Sequence, residues 1–146
     1  MPEPPLSPNA EALLLAPNPA VLATVRPDGS PHSAAVWFDW VEGRVLLNMD
    51  VNRRRLRFIE ANPAASLTVL DGDNWFRQLS VEGPVRLEPD EGLTTVDRLA
   101  RRYIGSEYPI RDRERVTAWL DPTRWFLWDA RGRGDGESLA RRPKLR

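Results

Sequence analysis

From Ala20 the apolar pattern of this chain repeats every two residues and is cut at short intervals by turn signals. Val21, Ala23 and Val25 alternate with Leu22 and Thr24. Arg26-Pro27-Asp28-Gly29-Ser30 then places Pro at a turn corner with Gly to follow. Beyond it His32, Ala34, Val36 and Phe38 share one strand face, and Ser33, Ala35 and Trp37 share the other. Val41-Glu42-Gly43 turns the chain again, into Arg44-Val45-Leu46-Leu47-Asn48-Met49. Short strands joined by tight turns restrict the fold to antiparallel pairing, and helices in the remaining gaps must lie outside the sheet.

The rest of the chain fits that frame. Ser7 to Leu15 reads as a short capped helix with Pro8 at its first position, closed by Ala16-Pro17-Asn18-Pro19. Ala65–Leu70 is a strand, Asp71-Gly72-Asp73-Asn74 a turn, and Trp75 to about Leu87 a long strand. Gly83-Pro84 inside that strand marks a bulge or barrel corner. A second helix spans Asp90–Ile104, with acids early, arginines late and Gly105 closing it. Arg124–Trp128 is the last strand. Residues 1–130 form one domain, and 131–146, with six basic and two acidic residues, read as a disordered tail.

Composition narrows the chemistry. Lys plus Arg and Asp plus Glu number 21 each, so no global field draws the chain to nucleic acid or membrane, and any basic site is local. Zero Cys excludes disulfides and thiolate catalysis, and a single His makes a zinc site implausible. No apolar run approaches membrane-spanning length and no signal region opens the chain, so a cytoplasmic location is expected. Six Trp suggest stacking surfaces or an aromatic interface.

Asn52-Arg53-Arg54-Arg55-Leu56-Arg57-Phe58-Ile59-Glu60-Ala61-Asn62-Pro63 concentrates cations where they are least welcome. Leu56 and Ile59 make an inward i, i+3 pair, Asn52 or Asp50 is the expected N-cap, and Pro63 ends the helix. Arginines in a first turn face the positive end of the helix dipole, at a few tenths of a kcal/mol each. A phosphate seated among the free N–H groups and guanidinium forks would offset that cost. The alternative is a solvated basic face. His32, the lone imidazole, is more naturally a hydrogen-bonded strand residue than a general acid, so no catalytic residue is assigned.

The ordered set of motifs resembles the split β-barrels related to pyridoxamine-phosphate oxidase, and their branch that uses the deazaflavin coenzyme F420. Leu22-Ala23-Thr24-Val25-Arg26-Pro27-Asp28-Gly29-Ser30-Pro31-His32 and Val36-Trp37-Phe38 are similar to the opening hairpin of that family. Arg53–Leu67 resembles its basic helix and following strand, Asn74–Gly83 its Asn-Pro-Tyr-Arg-Tyr-Leu-Glu-Val-Arg-Gly strand, and Asp97–Pro109 its second helix. The resemblance covers about Pro19 to Trp128. It implies a mainly β fold with peripheral helices: a six-stranded antiparallel split barrel forming an obligate two-fold dimer.

It also implies two cofactor sites in the dimer interface. Asn48, Met49, Arg53, Arg54, Arg55 and Arg57, from the third strand and the arginine helix, match the family's cofactor positions, and His32, Ala34 and Trp37 would line the ring. Trp75, Phe76, Arg77 and Gln78 would come from the partner chain. The sequence departs from the family at Arg55, usually Lys, at Trp75, usually Pro, at Gln78, usually Tyr, and at Glu82, usually Arg. The implied function is an F420-dependent oxidoreductase passing hydride between the reduced deazaflavin and a small electron-poor substrate, because four arginines suit a long polyanionic tail. The alternatives are an FMN-dependent oxidase or reductase and a non-catalytic protein that binds F420 or a haem breakdown product. A cofactor that performs the redox chemistry itself fits a chain without obvious catalytic residues.

Overall fold

The structure is a computed structural model that describes residues 1–130, so the tail expected at 131–146 lies outside the described residues. Eight strands and three α-helices follow in the order α1 (Pro8–Leu15), β1 (Ala20–Val25), β2 (Pro31–Val36), β3 (Asp39–Val41), β4 (Arg44–Asp50), α2 (Arg54–Ala61), β5 (Ala64–Leu70), β6 (Arg77–Pro89), α3 (Thr94–Ile104), β7 (Arg115–Leu120) and β8 (Arg124–Asp129). Every pairing is antiparallel, in the order β2-β1-β5-β6-β7-β4-β3 with β8 added to β6. The antiparallel split-barrel class is as expected, with eight strands where six were counted.

β6 holds the two halves together. Its first part, Arg77 to Glu82, lies between β5 and β8, and from Val85 it pairs with β7. The handover falls at Gly83-Pro84, the expected corner. A Cβ on Gly83 would collide with the backbone carbonyl of Asp121, so only glycine lets the two segments approach there. Leu22, Leu67, Leu79, Val81, Leu120 and Leu127 fill the interior, and α1 adds Ala10, Leu13 and Leu14.

Four local expectations need correction. β2 ends at Val36, so Trp37 and Phe38 form a link into β3. Neither Asn52 nor Asp50 caps α2: the N-cap is Arg53, which has no capping bond. Asp50 instead accepts the Asn52 N–H at 2.8 Å and Arg113 Nη1 at 3.3 Å. The second helix is broken by a 3-10 turn at Glu91–Leu93, with Leu93 at φ 58° and α3 beginning only at Thr94. The Asp90 carboxylate spans the break by accepting the Thr95 and Val96 N–H groups at 2.9 and 3.0 Å. β6 starts at Arg77, which leaves Trp75 and Phe76 in the preceding turn.

Candidate cofactor site

A cavity of about 580 Å³ opens on the outer face of the β1–β2 hairpin. The cross-strand pair Val21 and Ala35 lines it with short side chains only. One wall is aromatic. Trp37 stacks on Tyr103 with centroids 5.7 Å apart and planes 9° from parallel, and Tyr108 meets Trp37 edge-on at 6.1 Å. Tyr103 Oη donates to the Asn18 carbonyl at 2.7 Å, and burial pushes its phenol up from the ordinary value.

The other side is cationic. Asn48 from β4, Arg55 from α2 and Arg115 from β7 converge there, and no carboxylate lines the cavity among the described residues. Arg55 Nε is enclosed without a hydrogen-bond acceptor. Burial first, and then the neighbouring Arg53 and Arg115 guanidiniums, push Arg55 below its ordinary value. A half-buried cation facing two like charges and no acid is an unfavourable arrangement that an anion would relieve.

A family model described as pyridoxamine 5'-phosphate oxidase matches residues 6–129, nearly the whole described chain. The chain belongs to the pyridoxamine 5'-phosphate oxidase family. Among curated proteins, none matches this member of it. Among solved structures, an F420 reductase superposes with a TM-score of 0.76 at 36% identity, over 82% of this chain and 98% of that one. An FMN-binding pyridoxamine 5'-phosphate oxidase-related protein from Nostoc punctiforme gives 0.62 at 17% identity, over 88% and 87%. A heme binding protein from Mycobacterium smegmatis gives 0.68 at 19% identity, over 92% of this chain and 59% of that one. The last two likenesses concern the fold alone.

Within this family member, the cavity brings together Trp37, Asn48 and Arg55 of the residues expected from sequence. It does not include His32 or Ala34. Those two sit opposite Thr24 and Leu22, which are buried, and His32 packs edge-on against Phe58 of α2 at 5.6 Å. From β2 the cavity takes Ala35 and Val36, one residue from each face of the strand end. Met49 is likewise turned inward, 1% exposed in the core. Arg53, Arg54 and Arg57 are exposed on α2. Trp75 and Phe76 are 70% and 59% exposed. Arg77 is tied to the Asn9 carbonyl at 2.8 Å and to Asp71 at 3.6 Å, and Gln78 lies opposite Leu70 and Trp128. None of these last four residues lines the cavity of its own chain.

Sequence reasoning missed Ala35, Tyr103, Tyr108 and Arg115 as lining residues. The chain has only two tyrosines, and they flank Gly105 at the end of α3, which was a usable signal. Arg115 was hidden because β7 follows Arg111-Asp112-Arg113-Glu114, a run that reads as loop, although Ala118 and Leu120 are both fully buried.

Proposed function

We propose that this family member is an F420-dependent oxidoreductase acting on a small, electron-poor organic substrate. The observation that carries the reading is Arg55, a shielded guanidinium without an acceptor in a cavity free of carboxylates. The cavity residues fit the cofactor. Arg55 would take a phosphate oxygen, with Arg53, Arg54 and Arg57 along the exposed helix face for a longer anionic tail. Val21 and Ala35 would let a planar ring lie flat, and Trp37 would cover its edge. Bound reduced F420 would supply hydride to an activated C=C, C=N or C=O, while the aromatic wall keeps water away. The 36% identity to an F420 reductase supports F420 over FMN.

The protein would act as a homodimer, with Trp75, Phe76, Arg77 and Gln78 of each chain completing the partner's site. Two large exposed aromatics side by side on one turn, centroids 6.1 Å apart, are the reason to expect a covering surface. No helix among the described residues is long and apolar enough to cross a membrane, and we place the enzyme in the cytoplasm.

The deciding experiment titrates the purified protein with F420 and with FMN while following Trp fluorescence. A colourless protein quenched by F420, which then oxidises reduced F420 with a substrate screen, supports the proposal. A yellow protein, or quenching by FMN alone, replaces it with the flavin reading; F420 binding without turnover leaves a carrier. Light scattering during size exclusion tests the assembly, and a monomer at micromolar concentration would remove the two-chain site.

A further inference from the structure

Arg115 lies on β7, remote in sequence from the arginine helix, yet its side chain is fixed as tightly as any in the cavity. Its Nε donates to Asn48 Oδ1 at 2.6 Å, and its guanidinium lies over the Tyr108 ring, 4.7 Å from the centroid. Asn48 is itself only 9% exposed, and its Nδ2 donates to Asp90 Oδ2 at 2.9 Å. Asp90 is 7% exposed, receives the first N–H groups of α3, and donates its own backbone N–H to the Arg115 carbonyl at 3.0 Å. The Asp90 carboxylate is therefore engaged by Asn48, Thr95 and Val96. The nearby Asp50 is also engaged, by Asn52 and Arg113.

Two consequences follow from the donor inventory. A guanidinium has five N–H donors, and Arg115 uses only Nε, so neither Nη nitrogen has an acceptor among the described residues. The carboxamide of Asn48 is oriented by the Asp90 carboxylate, which can only accept, so the amide oxygen faces Arg115. The plane and the outward edge of Arg115 are thus set before any ligand arrives. Pre-setting matters because a free arginine loses rotamer freedom on binding, and a fixed one does not.

We propose that Arg115 is a second anion-binding residue of this site, acting opposite Arg55, and that Asn48 positions it through the Asp90 cap of α3. The inference rests on the cofactor reading for its natural ligand, a phosphate-bearing coenzyme, but not for its chemistry, which is recognition of a phosphate oxyanion. Arg55 and Arg115 approach from opposite elements, and each raises the cost of the other while no anion is present. Tyr108 extends the arrangement to the loop after α3, since its ring covers the face of Arg115 that does not meet the ligand.

The test measures binding by Trp fluorescence, for inorganic pyrophosphate and for F420 in parallel. Arg115→Ala should weaken both by about 10- to 150-fold, the range for a lost charge-assisted hydrogen bond. Arg115→Lys keeps the charge but not the fork held by Asn48, and should recover only part of that loss. Asn48→Ala should weaken binding in the parent protein and change little in the Arg115→Ala background, the non-additivity expected of a residue acting through another. Arg113→Ala, which removes an equal charge paired with Asp50, is the control and should bind as the parent does. Equal losses from Arg113→Ala and Arg115→Ala, or no loss from Arg115→Ala, would overturn the proposal. Additive effects of Asn48 and Arg115 would overturn the positioning role. Pyrophosphate binding that depends on Arg115, with no binding of F420, would leave this inference standing and remove the F420 reading instead; a parent protein that binds neither probe overturns both.

Discussion

The arginines of α2 and those of α3 with its following loop are the same residue in similar numbers, yet they are treated in opposite ways. Arg98 reaches Asp39 at 2.8 Å, Arg101 reaches Glu107 at 3.2 Å, and Arg111 grips Asp97 at 2.7 Å. Arg102 goes further: it pairs with Asp39 at 3.1 Å and donates to the Leu14 and Ala16 carbonyls, both at 2.7 Å, closing the C-terminal end of α1. Around α2, by contrast, Arg53, Arg54, Arg55 and Arg57 have no carboxylate within ion-pair distance among the described residues. A guanidinium satisfied within the chain contributes to the fold. One left unsatisfied at a cavity is available to a ligand.

The largest effect should therefore come from the α3 side, on stability. Arg102→Ala removes an ion pair and the bonds to the Leu14, Leu15 and Ala16 carbonyls from a side chain that is only 15% exposed. It should cost about 2–4 kcal/mol, since it orphans helix-end carbonyls and half of a buried ion-pair cluster. Thermal unfolding would report this as a fall of Tm on the order of 10 °C. A shift within the experimental scatter would mean that the closure of α1 is set by packing alone.

On the α2 side the loss should appear in binding and not in folding. Arg55→Ala should weaken F420 or FMN by about 1.5–3 kcal/mol, roughly 10- to 150-fold in Kd. Stability should stay within about 0.5 kcal/mol of the parent, because a mutually repelling charge is removed. Arg101→Ala, whose partner Glu107 is itself exposed, is the matching substitution on α3. Equal losses of affinity from the two would erase the distinction between the regions.

Acid should separate the regions a third way. Asp97 is held below its ordinary value of 3.8 chiefly by the Arg111 fork and also by the Tyr108 N–H, and Asp50 chiefly by the Asn52 N–H. Groups depressed in the folded state contribute stability that is complete above the ordinary value and lost as pH falls through the lowered one. Unfolding midpoints should hold from neutrality to about pH 4 and then drop. Asp97→Asn should begin lower and fall less steeply in that acid window. An unchanged acid slope would show that the loop carrying Tyr108 is not anchored by this pair.

How much of this contrast the sequence disclosed depends on distance along the chain. The hairpin from Ala20 to Val36, the glycine corner at Gly83 and the arginine helix were readable because local period and turn chemistry specify them. β7 and its Arg115 were not, since a charged run preceded the strand and its partners β4 and β6 are long-range. The same limit applies to the two faces of β2. Alternation sorts His32, Ala34 and Val36 from Ser33 and Ala35, but only the packing of α2 against His32 decides which set is turned inward. The partners of Arg98, Arg102 and Arg111 are 59, 63 and 14 residues away, which is why a paired and an unpaired arginine look alike in sequence.

The smallest expected effect belongs to His32. Its ring packs edge-on against Phe58 of α2, it is not among the residues lining the cavity, and its Nδ1 is enclosed without a partner. A general acid must come within hydrogen-bonding reach of the atom it protonates, and such groups typically contribute about 10²–10⁴-fold. Through Phe58, His32 touches α2, which carries Arg55. His32→Ala should therefore reduce turnover less than tenfold, with the change appearing in cofactor affinity and with a pH profile that keeps its shape. A hundredfold fall at unchanged affinity would mean that β2 presents its other face to the substrate. In that case the unpaired arginines and the imidazole would belong to one site, and the division between an α2 region whose arginines are left unpaired and an α3 region whose arginines are paired would have to be redrawn around β2.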